Sequence, residues 1–203
     1  MGRAAQKGGE PMNRWNDRTK LLLAALFCIA GTMLFFRGPL FLPKLCHIPY
    51  DLEDFHQPLF ELISSSLRST GQLPWWNPYN YLGEPFYANV QAAMFYPPTL
   101  LTVLLGNVLF GRVTLWLIEL ELACHVALAG IGMYVLLRML RTTFFSALAG
   151  ATVYHLGAFF ASQAQHLGAV ARLPGSPGSW PPFSGCINGG TGHQLPSRAS
   201  RLR

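Results

Sequence analysis

The sequence predicts an all-α protein of several transmembrane helices, with a large outer loop that carries interfacial helices and a disordered carboxy-terminal tail. Three observations lead there. Half of the 203 residues are apolar and only 12% are charged, against about a quarter charged in an ordinary soluble domain. The mean hydropathy is positive, and apolar runs long enough to cross hydrocarbon alternate with basic residues. The net charge of +6 collects at the edges of those runs and in the last stretch of chain. It forms no stripe with interleaved aromatics, which argues for membrane orientation and against a nucleic-acid partner.

The first run, "LLLAALFCIAGTMLFF" from Leu21 to Phe36, follows Arg14, Arg18 and Lys20. Lys20 and Arg37 can snorkel at its two ends, so a crossing is expected over about 20–37. A cleavable signal peptide is the competing reading. However, no small-x-small site closes the run, and Phe27 before Cys28 is wrong for a lipoprotein site. Five basic residues ahead of the run place residues 1–19 in the cytoplasm. From 38 to 111 nine prolines break any long helix, which marks an outer loop. Within it, Pro58–Ser69 has apolar residues at 59, 60, 62, 63 and 67, the stripe of an amphipathic helix resting on the bilayer. Tyr96–Phe110 is too short to span and reads as interfacial or re-entrant at the outer surface. Crossings at about 112–138 and 142–161 follow, joined by "RMLR", whose Arg138 and Arg141 mark a cytoplasmic turn. The membrane domain therefore runs over 20–171 with three crossings.

Residues 172–203 change character abruptly: Gly, Pro and Ser make up half of them, and there is no Asp, Glu or Lys. Such a segment buries too little apolar area to offset its chain entropy, so disorder is expected. Its composition is also what a GC-rich gene yields out of frame, and a shifted reading frame is the expectation. Cys28, Cys46, Cys124 and Cys186 lack the close spacing of a zinc site or a disulfide framework, and no metal ligands are assigned.

Two stretches carry chemistry. "YDLEDFHQ", Tyr50–Gln57, gathers Asp51, Glu53 and Asp54 with His56. Neighbouring carboxylates repel, which raises the pKa of one of them and suits it to general-base work; they are equally able to take a divalent cation through oxygen, or to stand simply solvated. "GQLPWWNPYNYLGEPFYANVQAAMFYPP", Gly71–Pro98, interleaves aromatics with Asn, Gln, Gly and Pro. It reads either as an aromatic belt at the headgroups or as a platform for a sugar or lipid, with Trp76 and Tyr79 offering ring faces and Asn77, Asn89 and Gln91 bonding hydroxyls. Inside the second crossing, Glu119, Glu121 and His125 read as a proton path in a transporter or as buried polar contacts to another helix.

The motif G-x-L-P-x-W-N-P-Y, G-x-P-F, A-N-x-Q, F-Y-P-P within Gly71–Pro98, with an aspartate about twenty residues upstream, closely resembles the opening portion of bacterial YfhO-type membrane proteins. "HVALAGIGMYVLLRMLR" downstream extends the likeness to about residues 15–170. Trp75 stands where the family usually has Leu. Those proteins look like C-type glycosyltransferases, which implies an inner-membrane protein that moves a sugar from a polyprenyl phosphate to an acceptor outside the cytoplasm. Family members are several times longer, so the resemblance implies a truncated, catalytically incomplete fragment; a non-enzymatic membrane scaffold or transporter component, or a product without function, is the alternative. By the resemblance, Asp51 is the base on the acceptor and Asp54 the next candidate. His56 and Gln57 complete the site, His166 meets the phosphate leaving group, and Arg68 counters a lipid phosphate. The cofactor is unknown, with a divalent cation compatible; the partners implied are membrane lipid and the polyprenyl-phosphate donor.

Overall fold

The computed structural model describes residues 17–167. The expectations for the tail at 172–203, and for nearly all of the amino-terminal segment, lie outside the described residues. Three helices are long and apolar enough to cross a membrane, Asp17–Phe35, Leu115–Met139 and Phe144–Gln163, and they agree with the expected crossings to within a turn. The first is α1, Asp17–Phe35, followed by a short α2, Arg37–Phe41. The next elements are a π-helical stretch, Leu52–His56, and α3, Gln57–Thr70. A two-stranded ribbon of β1, Trp76–Asn77, and β2, Glu84–Pro85, precedes two 3₁₀ turns, Phe86–Ala88 and Val90–Ala92. Then come α4, Pro97–Phe110, α5, Leu115–Met139, and α6, Phe144–His155. The last element is α7, Ala158–Gln163.

The helix α5 is the axis. α1 and α6 both lie antiparallel to it, as the register of close contacts shows. A Cβ placed at Gly130 would meet the His155 ring and Cys28 Sγ, and one at Gly150 would meet Leu137. Near the start of α5 the Trp116 indole N–H donates to the Leu40 carbonyl at 2.9 Å, which ties α2, just past the end of α1, to it. Lipid is as apolar as leucine, so helices in a bilayer associate by close packing, and small residues permit it here. The buried stripe of α1 is Ala24, Cys28 and Thr32, facing Ala147 and Ala151 of α6. Leu22, Leu26 and Leu34 point away and are exposed, as a lipid-facing surface requires. The reversal between α5 and α6 is tight. Arg141 takes a left-handed φ of 61°, the Arg138 guanidinium donates to the Thr142 carbonyl, and Thr143 caps α6 by accepting from the Ser146 amide at 3.2 Å.

The chain between α1 and α5 folds back on the opposite end of this bundle. α3 has Pro58 in its first turn and ends at Gly71, whose φ of +69° is the left-handed cap that favours glycine. The expected helix is thus present, but its stripe meets protein rather than lipid: Leu59, Phe60 and Ile63 are buried in one core with Phe86, Val103, Ile118, Leu122 and Phe160. The apolar side chains that looked ready for a bilayer are consumed by α4 and α5, which the sequence alone could not place beside them.

For α4 the expectation is an interfacial or re-entrant segment, and in the structure it packs lengthwise against α5 rather than lying across the end of the bundle. It forms an antiparallel hairpin with α5. The Tyr96 hydroxyl is 2.8 Å from His125 Nε2, the Thr99 hydroxyl donates to Glu121 at 3.3 Å, and Gly106 lies against Arg112 and Val113. His125 is ten residues into α5, so α4 starts about 15 Å along that helix and runs back to its beginning. At 14 residues it is about 21 Å long, short of the roughly 30 Å hydrocarbon core. Re-entrant is the better description, with Leu104, Leu105 and Val108 exposed on its outer face. Glu121 and His125, four apart, do not pair with one another through their side chains. His125 Nδ1 bonds the Glu121 carbonyl at 2.7 Å, and each side chain reaches across to α4.

Candidate functional site

Where the chain leaves α2 it turns sharply at Tyr50, a non-glycine residue at φ 67°. The Tyr50 carbonyl accepts from the amides of Glu53 and Asp54 at 3.0 and 2.9 Å, which starts the π-helical stretch and sets Asp51 at its mouth. Among the described residues, four of the five left-handed non-glycine positions, Tyr50, Tyr81, Leu82 and Ala93, fall in this one connection. Such strain persists only where the surroundings over-determine it.

The three acids do separate work. Asp51 Oδ2 lies 2.9 Å from His166 Nδ1, joining the first connection to the residues just after α7. Both side chains remain partly open, at 49% and 38% of full exposure. Glu53 pairs with His47 at 3.1 Å. Asp54 is exposed and makes no ion pair among the described residues. One wall of this region is closed by Glu119, buried at 2%, which accepts the Ile48 amide at 2.7 Å. This gives Glu119 a partner that sequence reasoning sought in another helix. No group of three or more His, Cys, Asp or Glu side chains among the described residues is arranged to hold a metal ion.

His56 is the buried member, 3% exposed, with its ring edge-on to Phe55 at 5.3 Å and its Nδ1 without a partner. Burial pushes its pKa down to about 4; the Asp51 charge opposes that shift and the His166 charge adds to it. His56 is therefore neutral near pH 7. His166 has its other nitrogen, Nε2, 3.4 Å from the Gln165 amide nitrogen. A ring that donates from Nδ1 to Asp51 and accepts at Nε2 satisfies both contacts.

The other expected residues divide into two groups. Arg68 is not brought to Asp51: it sits eleven residues after Gln57, about 16 Å along α3. It is engaged there with Glu61 at 3.0 Å and with the Gly111 carbonyl, while Glu61 also accepts the Val113 amide at 3.3 Å. Its work is to clamp the ends of α3 and α4, not to meet a phosphate at Asp51. Gln57 is half-buried at the start of α3 and makes no side-chain hydrogen bond among the described residues.

In the aromatic segment, Asn77 is buried and spends its side chain on the loop, accepting from the Tyr79 amide at 3.0 Å and donating to Glu84 at 3.4 Å. Asn89 does the same, accepting from the amides of Gln91 and Ala92. Trp76 covers Gly83, whose φ of +112° and contact with the indole leave no room for a Cβ. Tyr79, Asn89 and Gln91 do come together in an open cleft of about 690 Å³, with Phe55, Tyr81 and Glu84 among its other walls. Phe55 belongs to the same π-helical stretch as His56, so the cleft abuts the Asp51 region.

Glu84 and His155 are the residues that sequence reasoning passed over. Glu84 lies inside the quoted motif, where its charge was the available signal. His155 is fully buried against Gly31 and Gly130 with Nε2 unpartnered, and nothing in an apolar run announces which histidine faces inward. Comparisons with protein-family models, with curated proteins and with solved structures gave no significant match.

Proposed function

We propose that this chain is a truncated YfhO-like glycosyltransferase of the bacterial plasma membrane that retains the acceptor base, Asp51 and His166 acting together on an acceptor hydroxyl. The sugar comes from a polyprenyl phosphate. The observation that carries the reading is the 2.9 Å contact between these two side chains, drawn from distant parts of the chain to one end of the bundle and left open to solvent. The carboxylate fixes the ring with Nδ1–H toward it, so the pair offers one ring nitrogen and one carboxylate oxygen for a proton. As the acceptor oxygen bonds to the anomeric carbon, its proton passes to the pair and the bond from that carbon to the phosphate oxygen breaks. Polyprenyl phosphate is the leaving group. Neutral His56 behind the pair keeps a second positive charge out of the site. Arg37, Lys44 and Arg112, all exposed at the same end and without an ion pair among the described residues, are cations available to meet the phosphate.

Orientation follows from charge: Lys20, Arg138 and Arg141 lie at the end of the bundle away from Asp51, so positive-inside bias puts the amino terminus in the cytoplasm and the pair outside. The test is transfer of labelled sugar from a polyprenyl-phosphate donor by the purified chain in lipid nanodiscs. Transfer that disappears in Asp51→Asn supports the reading. Absence of transfer by the wild-type chain overturns it in favour of a non-enzymatic membrane component.

A further inference from the structure

We propose that the cleft beside the Asp51–His166 pair is the acceptor subsite and that it takes an uncharged saccharide, a refinement that rests on the glycosyl-transfer reading. Its volume of about 690 Å³ is in the range of small-ligand sites, and its walls combine ring faces with hydrogen-bonding groups. Phe55, Tyr79 and Tyr81 supply the rings; Asn80, Glu84 and Gln91 supply polar contacts. Sugar rings present apolar C–H faces bounded by hydroxyls, and this mixture complements them. A purely apolar tail would leave the polar groups unpaired.

Charge narrows the ligand further. Glu84 is the one charged residue lining the cleft, and no lysine or arginine joins it. A phosphodiester or uronate would face that carboxylate without a counter-charge, which costs affinity. The donor phosphate therefore belongs elsewhere, and the cleft is left for the acceptor.

The turn that holds the rings is set before ligand arrives. Tyr81, Leu82 and Gly83 take left-handed φ values of 50°, 62° and 112° in succession, braced by Glu84, which accepts from Asn77 and Asn80 at 3.4 and 3.5 Å. Tyr79 and Tyr81 stand 82% and 90% exposed on this braced turn, so the backbone that carries the rings is set in advance and binding has only the two side chains left to order. Phe55 on the cleft wall is about one helical turn from Asp51, which brings a hydroxyl of the bound saccharide toward the base.

Saturation-transfer NMR on the full chain in nanodiscs tests this. The probes are neutral trisaccharides of glucose, galactose, mannose and N-acetylglucosamine, each set against its uronate-containing counterpart. At least one neutral trisaccharide is expected to bind, more tightly than its uronate. Tyr79→Ala with Tyr81→Ala should weaken it about tenfold at an unchanged thermal midpoint. Glu84→Gln keeps the acceptor for the two asparagines and should narrow the discrimination against the uronate. Binding of no neutral trisaccharide, equal binding of the charged ones, or indifference to the double tyrosine variant overturns the proposal. The readout separates it from the transfer reading: trisaccharide binding that persists in a chain without transfer activity sinks the enzyme and leaves the cleft. Transfer unaffected by the tyrosine variant sinks the cleft and leaves the enzyme.

Discussion

Protonating His56 should loosen the end of the bundle that carries Asp51, and the size of the effect is set by its burial. The ring is 3% exposed and its pKa is lowered from 6.5 to about 4. An unfolded chain binds the proton near pH 6.5, whereas the folded chain resists it until about pH 4. Within that window the unfolded state holds more protons, so stability is whole above pH 6.5 and falls as pH drops toward 4. The gap converts to about 3 kcal/mol. The charges of Asp51 and His166 act on the ring, so the measurement is a difference. Thermal midpoints of the wild type and of His56→Phe or His56→Gln are followed in detergent from pH 7 to pH 4. Groups common to all three cancel, and the wild type should lose several degrees more than either variant. Parallel profiles would refute the argument that burial keeps this histidine neutral.

Asp51→Asn should abolish sugar transfer, while His166→Gln separates the two proton acceptors: residual turnover identifies the carboxylate as the base, and its loss identifies the ring. Of the two glycines in "GIG", Gly130→Ala drives a Cβ to 2.8 Å from the root of the His155 ring, whereas Gly132→Ala meets nothing within 4 Å. Thermal unfolding should show a loss of about 1–3 kcal/mol for the first and none for the second. Tyr96→Phe removes the bond to His125 and should cost about 1 kcal/mol, seen as faster hydrogen exchange confined to α4. A cysteine at Arg141, with the native cysteines replaced, should stay unlabelled by an impermeant maleimide in intact cells; labelling would invert the topology and place Asp51 inside.

The sequence made the crossings legible because length and hydropathy are local properties, and α1, α5 and the α6–α7 run fall where the apolar runs lie. Asp51 and His166 were both nameable, as an acid in a proline-rich connection and a histidine at the end of an apolar run, and the inferred hairpin at Arg138 and Arg141 put them on one side. What could not be read was which partner each polar group would find. Asn77 and Asn89 look like ligand contacts in one dimension, yet their side chains close turns two or three residues away. Arg68 looks like a phosphate contact because its partner Glu61 and the Gly111 carbonyl come together with it only at a helix crossing. The stripe of α3 has the period of a surface helix whether lipid or protein covers it, and tertiary packing alone decides.

The contact between Asp51 and His166 also fixes an order of events at the ribosome. Asp51 leaves the exit tunnel early, before α5 exists, and stays without its partner while two more helices of membrane-crossing length are made. Its partner arrives with nearly the last described residue. A chain cut short before that point leaves Asp51 without its histidine, and one cut before α4 and α5 leaves the apolar stripe of α3 uncovered.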